Sequence, residues 1–357
     1  MSAEGVVMQA GDDPGLSSAV TNRATRVWHR VQWLLLGAGM VLVLLLFLRP
    51  GLGLDLLWNG LIPLAPALLV VAPGVWRNVC PMATWSLLPH RLGISERRVP
   101  DQRTAARLRL GGVAALLLIV PARHLWFDTD GYLSGVMLVA AALCALWFGM
   151  AWERRSGWCA TACPIHPVEK LYGLSPAVSV ANARCERCDR CSAPCPDSTR
   201  AMHPAITGPS RLEAALGHVI IGGFAGFICG WFQVPDYHGA ATPHEALLAF
   251  LWPFGGALVS LMLYTALRAT VAVSHAARRR LIRIFAAAAV SSYYAFRLPA
   301  LVGLGLHPGT GRLVDWSGWL PAWAPWLSAA LTTAFFFWFL VVRRESGVSW
   351  NSRPARA

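Results

Sequence analysis

Residues 32–48 read QWLLLGAGMVLVLLLFL, an apolar run without a charge, closed by Arg49 and Pro50. It approaches the roughly 18 apolar residues that a helix needs to cross the hydrocarbon of a bilayer, and it is far too long for a strand. The pattern recurs at about 54–76, 110–126, 132–152, 214–234, 246–267, 284–306 and 321–342. Pro63 and Pro66 fall inside the second run. Membrane helices tolerate proline where neighbouring groups satisfy the freed carbonyls. Composition agrees: of 357 residues, 55% are hydrophobic and only 14% are charged, which excludes an ordinary soluble core. The expected fold is an all-α integral membrane protein of about eight transmembrane helices.

The net charge of +13 does not point to nucleic acid, because the basic residues alternate along the chain. They collect in residues 1–30, in the connections after the second, fourth and sixth spans, and after the last span. The other connections hold little besides Arg49, Arg123 and Arg312. The positive-inside rule then places both termini and the connection after the fourth span in the cytoplasm of a cell with a bacterial inner membrane. Residues 1–30 read as a polar tail without a cleavable signal. The organisation expected is a tail (1–30), four spans (31–152), a cytoplasmic cysteine-rich segment (153–212), four spans (213–343) and a basic tail (344–357). The four tryptophans Trp316, Trp319, Trp323 and Trp326 suit an interfacial belt.

The cysteine-rich segment carries the chemistry. Residues 185–196 read CERCDRCSAPCP, so Cys185, Cys188, Cys191 and Cys195 stand at C-x2-C-x2-C-x3-C with Pro196 following. This is the spacing of a ferredoxin-type [4Fe–4S] site, in which closely spaced thiolates on a tight loop reach several irons of one cube. A structural zinc site usually pairs two separated C-x2-C units instead, and a cytoplasmic loop disfavours disulfides. Arg184, Arg187 and Arg190 interleave with the cysteines. Positive charge there favours the reduced cluster.

Two other sites repeat a Cys-Pro step just after a span. Cys80-Pro81 follows the second span, and Cys159-Ala-Thr-Ala-Cys163-Pro164 follows the fourth. With the ferredoxin run, these turns resemble the membrane-bound polyferredoxin family. That family includes NapH-type and NosR-type membrane proteins and the cytochrome oxidase accessory ferredoxins. The resemblance covers about residues 30–205. It implies a cytoplasmic iron–sulfur cluster and service to a respiratory reductase or to its maturation. The chain departs from the family in holding one ferredoxin run rather than two. It also carries Trp76 where the first C-x3-C-P would begin. Cys80, Cys159 and Cys163 are too few for a second all-cysteine cube. They are a possible second metal or redox site, alternative cluster ligands (Cys163 in place of Cys195), or structural turns. Cys144 and Cys229 fall within spans and read as small apolar packing groups.

No two histidines share a mid-membrane depth on facing spans, so haem is not expected. His124, His238, His244 and His307 fall at the outer ends of spans, where they are candidates for a quinol or metal site or simply polar ends. Arg297 and Asp55 are the intramembrane ionisable candidates, both toward the outer face and near enough in depth to pair, with Asp55 expected to reach the headgroups. The function expected is electron transfer at the cytoplasmic face, between one [4Fe–4S] cluster and a quinone or a partner redox protein. The alternative is a non-enzymatic maturation factor that uses the cluster or the Cys159/Cys163 pair, with His166 nearby, to reduce or deliver metal. A transporter with a sensing cluster is the third reading.

Overall fold

The computed structural model describes residues 17–153, 157–181, 210–344 and 350–352. Cys185, Cys188, Cys191 and Cys195 lie outside the described residues. The eight expected spans are present as helices long and apolar enough to cross a membrane. They are α1 (Ser17–Leu48), α2 (Pro50–Val71), α5 (Gln102–Phe127) and α6 (Gly131–Ala151), then α8 (Arg211–Trp231), α9 (Pro243–Thr270), α10 (His275–Leu301) and α11 (Ala324–Val342). Three short helices lie between them: α3 (Pro73–Val79), α4 (Pro81–Leu92) and α7 (His166–Tyr172). The only strands among the described residues are β1 (Val180–Ala181) and β2 (Asn351–Ser352), paired in parallel. The protein is helical, and we read it as a multi-pass membrane protein.

The second span ends earlier than its hydropathy suggests, at Val71 rather than near Trp76. Proline sets both breaks beyond it. Pro73 and Pro81 each stand at the start of a helix, where the missing N–H costs nothing. Their predecessors Ala72 and Cys80 are pushed out of helical geometry, Cys80 to φ −62° and ψ 119°. The expected basic loop is therefore largely the two helices α3 and α4. Helix α4 stops at Gly93, whose φ of 75° is the left-handed cap that glycine adopts without strain.

Polar caps fix where several spans begin. Asp101, Asp130, Ser210 and Ser274 each accept a backbone N–H of the first turn, and Thr242 forms a reciprocal capping box with Glu245. Three spans also loosen into π-helical turns, at Asp55–Leu61 in α2, Arg123–Phe127 in α5 and Trp338–Val342 in α11. Such turns offset the backbone ladder and free carbonyls for other partners.

Burial separates centre from periphery. In α10, 56% of the span is buried, against 11% in α9. Around α10 the core gathers Val70, Phe227, Phe285, Val290, Tyr294 and Leu340. Helix α9 instead turns Leu251, Trp252, Leu258 and Met262 outward, the pattern of a face bathed in lipid. Its inner face meets α8 through small residues. A Cβ on Gly226 would run into the Gly256 carbonyl, and one on Gly256 into the Gly226 carbonyl. Ser260 Oγ donates to the Gly222 carbonyl at 2.6 Å across the same contact. In lipid, where burial of oil in oil gives no drive, close backbone approach and such bonds hold helices together.

Gly226→Val should therefore part α8 from α9 and lower stability by about 1–3 kcal/mol. Gly255→Ala, where nothing lies within 4 Å of the added methyl, is the control and should change little. Thermal unfolding of both variants in detergent micelles measures the difference.

Candidate functional site

Functional side chains gather at the two ends of the bundle. At one end, Cys80 caps the junction of α3 and α4. Cys159 lies in a single 3-10 turn, Trp158–Ala160, and the Cys163 backbone N–H closes back on the Trp158 carbonyl at 3.0 Å. Both pack beside Phe148 and Trp158. Burial pushes the Cys163 thiol above its ordinary value, and the neighbouring Cys159 and Cys80 push it the same way. The two Cys-Pro turns thus meet. Cys159 and Cys163 are free thiols.

A buried ion pair holds the turns together. Arg77 on α3 donates from Nε to Glu169 on α7 at 2.6 Å, and both side chains are almost wholly enclosed. Arg77 Nη2 also meets His166 Nδ1 at 2.8 Å. That occupies the Nδ1 nitrogen of the imidazole expected to assist the Cys159/Cys163 pair. Trp350 covers this group, with Arg77 5.5 Å from its ring centroid and its own Nε1 donating to the Gly173 carbonyl at 2.6 Å. The ladder of β1 and β2 follows directly, so the residues after α11 return to the cysteine end. Asn78, two positions before Cys80, donates to the carbonyl of Ala181 at 2.8 Å, four residues before Cys185.

Lys170 lies buried in the same region. Desolvation first, then the charges of Arg109 and Arg77, bring its ammonium down to about 7.

The opposite end holds a second polar group, built on the π-helical turns of α2 and α5. Arg123 pairs with Asp128 at 2.8 Å and lies between two indoles, 4.1 Å from the Trp58 ring and 4.7 Å from Trp231. Burial raises the Asp128 carboxyl above the usual carboxylate range, and Arg123 opposes the rise. His124 is wholly enclosed and stacks on Trp231 at 4.5 Å. Its Nε2 lies 2.9 Å from the Trp231 carbonyl, which can only accept, so Nε2 carries a proton. Its Nδ1 lies 2.7 Å from Asp236 Oδ1. The Tyr237 N–H donates to the His124 carbonyl and fixes the Asp236 loop against α5.

Arg297 on α10 completes the group. Nη2 donates to the Trp58 carbonyl at 2.6 Å and to Asn59 Oδ1 at 2.5 Å, both in the loosened turn of α2. Asn59 in turn donates to Asp55 at 2.9 Å. Arg297 and Asp55 are therefore bridged by Asn59 rather than paired directly. Arg297 is buried, while Asp55 is exposed as expected of a headgroup contact.

Sequence spacing singles out His124, His307 and Arg297 but not Arg123, Asp128, Asp236, Trp58 or Asn59. The Arg123–His124…Asp128 succession beside an aromatic step is the one local sign. Asp236 joins from a connection 112 positions away. His238 and His244 stand outside the cluster. Gly112 abuts Ala162, between Cys159 and Cys163, so along α5 the twelve residues to His124 put roughly 18 Å between the two ends. Comparison with protein-family models, with curated proteins and with solved structures finds no match.

Lys170 gives the cysteine end a pH signature. Its folded value, about 7, lies below the unfolded lysine value of about 10.4, so the unfolded chain binds the extra proton between them. Stability should rise as pH increases from 7 to 10 and fall toward 7 from above. Lys170→Met should flatten that slope, read as the melting temperature of both proteins across this range.

Proposed function

We propose that the protein is a membrane-bound iron–sulfur electron-transfer protein. The observation that carries the reading is the spacing of Cys185, Cys188, Cys191 and Cys195 with Pro196 behind them. Four soft thiolates in that register suit one [4Fe–4S] cluster, which supplies one-electron chemistry when bound. The positive-inside pattern puts this segment and both termini in the cytoplasm. The exchange partner is a membrane quinone or a respiratory or other redox protein, and the surrounding lipid holds the bundle. The resemblance to membrane-bound polyferredoxins supports the same assignment.

The chain's own residues supply position and environment. Arg77, Glu169 and Trp350 brace the turns from which the cysteine-rich segment extends. A cluster on one face cannot carry electrons across a hydrocarbon layer of about 30 Å, so a transmembrane path needs a quinone or a partner cofactor.

The adjacency of Cys80 to Cys159 and Cys163 supports a second reading. In it the protein is a non-enzymatic maturation factor, and these thiolates receive a soft metal ion for delivery to a respiratory enzyme.

Anaerobically purified protein should hold about four irons and about four acid-labile sulfides, with an EPR signal that appears and vanishes reversibly in a redox titration. Cys188→Ser should abolish the signal, and Cys80→Ser should leave it. Iron-free, colourless protein that binds one copper(I) or zinc lost in Cys159→Ser would favour the second reading.

A further inference from the structure

An apolar cavity with about 200 Å³ of free space lies in the wedge between α5, α8 and α9. Ile220, Phe224 and Phe227 form its floor and are buried, while Val219, Phe254 and Leu258 form its rim and are exposed. The cavity is therefore a groove that opens sideways, out of the bundle and toward lipid. Phe227 and Phe254 meet edge to face at 5.8 Å and close the end farther from the cysteines. No polar side chain lines it, so water finds no partner there, and walls left bare forfeit their contacts.

The helix face that lines the groove runs on to a cation. Phe254, Leu258 and Leu261 recur on α9 at steps of four and three residues, and the same steps lead to Thr265 and Arg268. Arg268 thus stands about 10 Å along the axis from Leu261 and about 21 Å from Phe254. One leaflet of hydrocarbon is about 15 Å deep, so the stripe spans a leaflet and reaches its headgroups. Arg268 is exposed but held in place. Its Nη1 donates to His218 Nδ1 at 2.7 Å, and His218 Nε2 meets Thr265 Oγ1 at 3.2 Å. The remaining N–H groups of Arg268 meet no acceptor among the described residues. Arg268 and Arg278 both act electrostatically on Tyr264, so a second guanidinium shares this corner. Glu213, the carboxylate on α8, is already paired with Arg109. Among the described residues no carboxylate pairs with Arg268 or Arg278.

We propose that this groove is a specific site for one anionic phospholipid. Its phosphodiester rests on Arg268, with Arg278 beside it, and an acyl chain lies along the stripe and ends against Phe227 and Phe254. Two guanidiniums without a carboxylate favour a lipid of net negative charge, because a zwitterionic lipid brings its own cation to the same corner. Seated there, the lipid fills the wedge between α5 and the α8–α9 pair, at the pole that also carries the cysteines. The inference needs the membrane-spanning reading and is independent of the iron–sulfur one.

Native mass spectrometry of the full chain, released from detergent and titrated with dioleoyl phosphatidylglycerol or dioleoyl phosphatidylcholine, tests it. One phosphatidylglycerol should bind saturably and about tenfold more tightly than phosphatidylcholine, the worth of one charge-assisted hydrogen bond. Arg268→Gln should abolish that preference, with the melting temperature in pure detergent unchanged. Arg97→Gln removes the same charge from the connection beside α6 and should keep the preference. Leu258→Trp, which crowds the rim without altering charge, should weaken both lipids alike. Inorganic phosphate at equal concentration should displace neither. Equal affinities for the two lipids overturn the proposal, leaving ordinary lipid contact only. A preference that survives Arg268→Gln overturns it too, as does displacement by inorganic phosphate or full binding of both lipids to Leu258→Trp. Iron content of the same samples reports on the electron-transfer reading separately.

Discussion

A charge enclosed within a helical bundle in lipid has no water to turn to, and this governs both ends of the molecule. Arg123 is met by Asp128 and two indole faces, Arg297 by a main-chain carbonyl and an amide, and Arg77 by Glu169 and an imidazole. Each solution ties together segments far apart in sequence. Removing one member of such a pair leaves its partner buried and unmatched, which is why these groups hold structure as firmly as apolar packing does. The loosened turns of α2 and α5 belong to the same logic, since an unbroken helix at Trp58 would keep that carbonyl for itself.

The spans were legible because hydropathy over twenty residues is a summed signal that single polar residues barely disturb. The early end of α2 was less so, because Pro73 and Pro81 redirect an apolar run without altering its hydropathy. The paired Cys-Pro turns were visible as a repeat at one face. Their meeting depends on Arg77 and Glu169, 92 positions apart, which no local pattern connects. The outer polar group was harder still. His124 read alone is an interfacial histidine; it joins a buried imidazole–carboxylate pair only when the chain beyond α8 folds Asp236 back onto it. Trp58 and Trp231 belong to no pattern in the sequence, yet together they clasp a guanidinium.

The two poles differ in chemistry. One presents three cysteines beside the buried Arg77–Glu169 pair. The other presents buried His124 and Arg297, with Asp236, beside aromatic rings. Helix α5 runs between them, touching Ala162 through Gly112 and carrying His124 at its far turn, so one rigid element sets the spacing of both polar groups.

The return of the chain after α11 has a consequence for handling the molecule. Trp350 roofs Arg77, and the short β1–β2 ladder pins the following residues beside the start of the cysteine-rich segment. An affinity tag or fluorescent fusion appended after residue 357 would begin only five residues beyond the strand that pairs with Val180 and Ala181. A truncation ahead of Trp350 would unroof the Arg77–Glu169 salt bridge, far upstream of the cut.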